Sequence, residues 1–212
     1  MVQSRAPRKR TVKPPEQRRE EILESALALF RDRGFDETTV QDIAAAAGVA
    51  AGTVYLYFPS KEHVLVAIHE EFHKGMEDRF ASVWESLLKR ADAGEKFDRR
   101  TVIDSLLDEL VAYALDNRDT CTVIARFVPR LHEKSWADAH QTEHAFDRLM
   151  AEAFRQAIEE GHVHTSDPEM TALIVNAGIN HTIGHAIAFG DPPDLDRIVA
   201  QAKEIYYKVL AP

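Results

Sequence analysis

The stretch from Thr38 to Lys61 constrains this chain most, because it reads as two short helices with a tight turn between them. Val40, Ile43, Ala44 and Ala47 recur at helical spacing and form one apolar stripe. Thr38 stands where it can cap the first helix, with Gln41 three residues on closing a capping box. Gly48 follows the last stripe residue, where a left-handed turn admits glycine without steric cost. Val49 then turns the chain inward, a second helix begins at Ala50 or Ala51, and Pro59 ends it. Alanines 44 to 47 add little bulk, so the two helices can approach closely at the turn. Such a pair is a helix-turn-helix, whose second helix fits a DNA major groove. Val54 and Phe58, four apart, face inward, while Thr53, Tyr55 and Tyr57 offer hydroxyls to phosphates or bases. An ordinary helical hairpin inside a core would not carry that outward polar set.

The Thr38-Thr39 pair, Ile43-Ala44, Gly48-Val49, Gly52-Thr53-Val54-Tyr55, Tyr57-Phe58 and Ser60-Lys61-Glu62 resemble the DNA-binding domain of the tetracycline-repressor (TetR) family. The resemblance spans residues 18–65 and holds in both spacing and residue type. It implies a homodimeric, all-helical transcriptional regulator, a repressor that binds a palindromic operator and is released by a small hydrophobic or amphipathic effector. Thr39 and Lys61 match positions that contact phosphate, and Gly52, Thr53, Tyr55 and Tyr57 match groove-facing ones. Thr38 and Ala51 complete the candidate DNA-binding set. Tyr57 stands where histidine is frequent, Leu56 where an aromatic is frequent, and Ala51 where a longer polar residue is common. The last departure shifts the expected readout toward DNA shape, phosphate contacts and thymine methyls.

A net charge of −9 sits oddly with DNA until it is divided along the chain. Residues 1–13 carry +5 with no acid, and residues 1–65 hold ten Lys+Arg against nine Asp+Glu. The remainder carries −10, so the body repels DNA and helps to point the N-terminal end at it. Residues 1–15, basic and holding Pro7, Pro14 and Pro15, read as a disordered arm: either a phosphate-tracking segment or a solubilising tail. No stretch approaches a membrane span, and no apolar region follows the basic N-terminus, so no membrane partner is expected. Cys121 is the only cysteine, which excludes an internal disulfide and suits a reducing cytoplasm.

Helical periodicity runs through the rest. A first helix over 16–33 buries Ile22, Ala26, Leu29 and Phe30, with Phe35 as a plug in the three-helix core. The domain reading is 1–15 arm, 16–63 helix-turn-helix domain, and 64–212 ligand-binding and dimerisation domain. A long amphipathic helix from Lys61 to Lys89 or Arg90 joins the two, with Gly75 inside it as a point of bending. Further helices are marked by Val102 to Ala114, Cys121 to Leu131, Ala139 to Ile158, Pro168 to the Gly190-Asp191-Pro192-Pro193 stop, and Leu195 to Val209. The last two read as the dimer surface, through Leu173, Ala177, Ile198, Ala202, Ile205, Tyr206 and Val209. The alternative is that they lie at the centre of one large bundle.

Trp84, Tyr113, Phe127, Phe146 and Met150, with Asn180 and His181 as polar groups in an apolar helix, are the candidate ligand contacts. Core packing of the aromatics and satisfaction at a dimer seam remain open beside it. Three histidine pairs, His69/His73, His140/His144 and His181/His185, have the i, i+4 spacing that can bind zinc. None shows a His-Glu-x-x-His order, so surface or core histidines are the default and neither metal nor cofactor is expected. No phosphate loop or nucleophile motif is present, so the chain does not read as an enzyme. An activator or a corepressor-dependent regulator shares the same head, and a histidine-based metal-binding helical protein is the competing class.

Overall fold

The computed structural model describes residues 13–96, 99–131, 148, 151–152, 155, 158–159, 165–189 and 195–209, and every regular element among them is helical. The fold is all-α. In chain order α1 is Pro15–Arg33, α2 Val40–Ala46, α3 Ala51–Tyr57, α4 Lys61–Asp92, α5 Arg99–Asp116 and α6 Arg118–Phe127. A 3-10 turn, Val128–Arg130, follows α6 and holds Pro129; then come α7, Pro168–Phe189, and α8, Leu195–Val209. Most of the basic arm and most of the helix expected over 139–158 lie outside the described residues.

Proline starts both α1 and α7, where a missing N–H costs nothing. Asp167 accepts from the Met170 amide at 2.9 Å and caps α7. The α2 end is a Schellman turn: Val49 N–H reaches the Ala44 carbonyl at 2.9 Å and Gly48 N–H the Ala45 carbonyl at 3.2 Å. Gly48 has φ 65°, so an L side chain there would be strained.

The α2 start differs from expectation by one residue. Thr39, not Thr38, is the cap, and Asp42, not Gln41, closes the box. The Thr39 hydroxyl accepts from Asp42 N–H at 3.2 Å, and Asp42 Oδ2 accepts from Thr39 N–H at 2.9 Å. Thr38 is turned the other way, because its hydroxyl donates to the Gly34 carbonyl at 2.7 Å where α1 ends.

One apolar core fills the head. It joins Ile22, Ala26 and Phe30 of α1 to Ile43 of α2 and Val54 of α3, and continues through Val64 to Ile68 of α4. Val123 and Val128, from α6 and the turn after it, belong to that same core, so apolar packing crosses from head to body. Phe35 sits at this crossing, 5.2 Å from the Phe30 ring and 6.1 Å from the Phe127 ring. Further along α4, Met76 and Phe80 pack on Leu110 of α5. Thirty-two residues at 1.5 Å per residue make α4 a rod of about 48 Å that takes part in both cores. A Cβ at Gly75 would overlap the Tyr113 hydroxyl, so the glycine makes room for α5.

Candidate nucleic-acid interface

Helix α3 is held from beneath by Val54 and Phe58, both buried, with Val54 fully so. Those two side chains fix which face of its two turns looks outward. Gly52 and Tyr55 are exposed and Thr53 is half-buried, so of the expected outward hydroxyls that of Tyr55 lies on the most exposed side chain. Ala51 and Tyr57 are half-buried and pack against the head core. They border the face rather than form it.

Three further residues of the expected set stand differently from one another. Thr38 is only 1% exposed and spends its hydroxyl on Gly34, so it is removed from the DNA-facing set. The physical reason is that α1 ends in a carbonyl needing a donor, which Thr38 supplies from inside. Thr39 is exposed at the start of α2, with its hydroxyl engaged in the capping box. Lys61 folds back: its ammonium donates to the Phe35 carbonyl at 2.6 Å and lies 4.3 Å over the Phe35 ring. It ties the start of α4 to the α1–α2 turn.

Leu56 is not in the expected set, yet it is 84% exposed on the second turn of α3. The sequence held the signal. With Val54 inward, helical phase sets position 56 almost opposite it.

Asp42 beside this face has its pKa held below the ordinary aspartate range, first by the Thr39 hydroxyl and then by the Thr39 amide. It is therefore anionic at neutral pH.

Of the expected ligand contacts, Tyr113 and Trp84 are half-buried, and Tyr113 lines a groove, of about 240 Å³, between α1, α4, α5 and α6. That groove has an apolar floor of Leu23, Leu27, Ile68 and Phe72. Phe127 belongs to the head core instead, because its ring is drawn to Phe35. His181 is exposed on α7. Phe146, Met150 and the side chain of Asn180 lie outside the described residues.

On the candidate dimer surface, Leu173, Ala177 and Ile205 are exposed, while Ala202 and Ile198 are half-buried. Ile198 packs on its own subunit's core of Ile183, Ile187 and Leu195. The side chains of Tyr206 and Val209 lie outside the described residues. Of the histidine pairs, His69/His73 is buried with rings 4.3 Å apart, and His181/His185 is exposed with rings 5.9 Å apart. His140/His144 lies outside the described residues. Among the described residues no group of three or more metal-ligating side chains forms, and no helix is long and apolar enough to cross a membrane.

Two family profiles match this chain. Residues 22–68 match "Bacterial regulatory proteins, tetR family", and residues 102–183 match the "Tetracyclin repressor-like, C-terminal domain". The chain belongs to the TetR family.

TetR-family relatives extend the match. A transcriptional regulator of Bacillus subtilis, YfiR, is 28% identical over 92% of each chain. The transcriptional repressor KstR2 of Mycolicibacterium smegmatis is 37% identical over 34% of this chain, a segment spanning only 36% of its own length. The solved structure of the Thermus thermophilus repressor FadR, in complex with lauroyl-CoA, superposes with a TM-score of 0.68 at 22% identity, covering 92% of this chain and 95% of that one. At that identity the likeness speaks for the fold. Members of this family are transcriptional regulators rather than enzymes, and the chain carries the family's helix-turn-helix head ahead of its repressor-like C-terminal domain.

Proposed function

We propose that this chain is a transcriptional repressor that binds a palindromic operator as a homodimer and is released by a small hydrophobic or amphipathic effector. The observation that carries the reading is the geometry of α3. Val54 and Phe58 anchor it from below, and Gly52, Thr53, Tyr55 and Leu56 are left outward on a helix short enough to enter a major groove. In this reading residues 1–15 are a basic arm, 16–63 the DNA-binding domain, and 64–212 the ligand-binding and dimerisation domain. Thr53, Tyr55 and Tyr57 place hydroxyls in or beside the groove, the backbone approaches closely at Gly52, and Ala51 borders it. Thr39 and Lys61 approach the flanking phosphates.

The dimer rests on α7 and α8. Met170, Leu173, Ile174, Ala177 and Gly178 form an exposed apolar strip on α7, and Ile205 of α8 is exposed as well. A strip of that kind on one subunit suits burial against its twin across a two-fold axis. The effector acts through α4, because that single rod shares the head core at Val64–Ile68 and the body core at Met76 and Phe80. A shift of α4 resets the spacing of the two heads, which must match turns of duplex. Full release needs the effector to favour one state by roughly 5 kcal/mol. Acyl-CoA thioesters are the first effector class to try, since the Thermus thermophilus repressor was solved with lauroyl-CoA.

The test is fluorescence anisotropy with duplexes enriched from a random library by the full-length protein. A palindromic consensus, loss of binding in Tyr55→Ala and a dimer by sedimentation are expected, with lauroyl-CoA tried as the releasing agent. Full affinity in Tyr55→Ala would remove α3 from the groove, and a monomer at micromolar concentration would remove the α7–α8 interface.

A further inference from the structure

We propose that Leu56 is the sequence-reading residue of this protein, packing its isobutyl group on the C5 methyl of a thymine in each operator half-site. The inference rests on α3 being the groove helix, and it adds what that helix reads.

Helical phase carries the argument. Val54 is fully buried and defines the inward direction of α3. At 100° per residue, Gly52 and Leu56 each lie about 160° from it and about 40° from one another, on the outermost edge. Thr53 and Tyr55 lie about 100° to either side, on the flanks. Gly52 has no side chain, and nothing stands within 4 Å of where its Cβ would be. The edge that leads into a groove therefore bears bare backbone for its first turn and Leu56 for its second. At 84% exposure, Leu56 is also the most exposed large apolar side chain among the described residues.

Chemistry then selects the target. Leucine neither donates nor accepts, so it gains nothing from a phosphate oxygen or from the donor–acceptor pattern of a base edge. The thymine methyl is the apolar group that the major groove displays. Contact with it removes apolar surface of both partners from water. The flanking hydroxyls of Thr53 and Tyr55 are placed to fix the register through phosphate oxygens and base edges.

The experiment is a cycle on the full-length protein. One duplex enriched by the wild type is made twice, with thymine and with deoxyuridine at every thymine, which deletes only methyls. Wild-type affinity should fall about fourfold per half-site contact, or about fifteenfold for a dimer using both, on the deoxyuridine duplex. Leu56→Ala should bind the thymine duplex more weakly by a similar factor and lose the difference between the duplexes. Its thermal unfolding should match the wild type, since the residue is exposed. A thymine-to-deoxyuridine ratio unchanged by Leu56→Ala overturns the proposal while Tyr55→Ala still weakens both duplexes. If Tyr55→Ala binds fully, or no duplex is enriched at all, the groove reading itself fails and takes this proposal with it.

Discussion

Gly75 and Tyr113 fit as notch and tongue: the Tyr113 hydroxyl occupies the space a Gly75 side chain would take and donates to the Phe72 carbonyl at 3.0 Å. The ring also lies 5.2 Å from that of Phe72. Helix α5 is thereby seated on α4 at one defined height, midway along the rod that connects head to body.

Replacing Gly75 with alanine should destabilise the protein even though alanine is the better helix former. The added Cβ overlaps Tyr113 Oη and comes within 2.9 Å of Cζ, and displacing the ring should cost about 1–3 kcal/mol. In a Tyr113→Leu background the clash is gone, and Gly75→Ala should become neutral or stabilising by up to about 1 kcal/mol. Urea unfolding of the four proteins measures the coupling. An equal loss in both backgrounds would mean the notch is not what the glycine provides.

The capping box gives α2 a pH signature. The Asp42 carboxyl has a lowered pKa in the folded protein, through the Thr39 hydroxyl and amide. Its contribution is present above the ordinary aspartate value of about 4 and is lost as pH falls through the folded value. Asp42→Asn should therefore melt lower than wild type at pH 7, with the gap closing as pH falls below the ordinary aspartate range. Thr39→Ala should cost about 1 kcal/mol at neutral pH, whereas Thr38→Ala should affect α1's end instead of the cap.

Lys61 separates a staple from a phosphate contact. An ammonium has three donors, and Phe35's carbonyl takes one at 2.6 Å. Lys61→Gln removes the charge and should lower the salt slope of DNA binding by about 0.9 per subunit. Lys61→Ala should do the same and also lower the melting temperature. If neither variant moves the slope, Lys61 is structural alone.

Cys121 should be inert in the native state. Burial pushes its thiol up to about 12, and the Sγ lies 3.5 Å from the Ala114 carbonyl. Ellman's reagent at about pH 8 should react only after unfolding by guanidinium. Because the unfolded thiol ionises near about 8.5, its contribution to stability is full below that pH and is lost as pH rises toward the folded value. Rapid labelling of the folded protein would contradict this burial.

Ile174→Glu tests the α7 strip. The side chain is 64% exposed on one subunit, so a monomer should tolerate the charge within about 0.5 kcal/mol. Sedimentation should then show monomers that keep their helical circular dichroism. A dimer that survives Ile174→Glu intact would place the interface elsewhere.

Among the described residues the sequence by itself determined the helices and the helix-turn-helix, because apolar spacing, prolines and the Gly48 turn are local signals that act over a few residues. It also determined that Val54 and Phe58 face inward, whereas the outward set read from hydroxyl-bearing residues included Tyr57, which packs on the head core, and left out Leu56, which is exposed. Tertiary structure alone decided how the shared groups are spent. Thr38 and Thr39 are the same residue type side by side, and only the position of the Gly34 carbonyl assigns one inward and the other to the cap. Phe127 is apolar wherever it lies, and only the placement of Phe35 between head and α6 draws it into the head core. Gly75 reads as flexibility along the chain but is a seat for Tyr113, thirty-eight residues away, because close packing depends on what approaches from elsewhere in the fold.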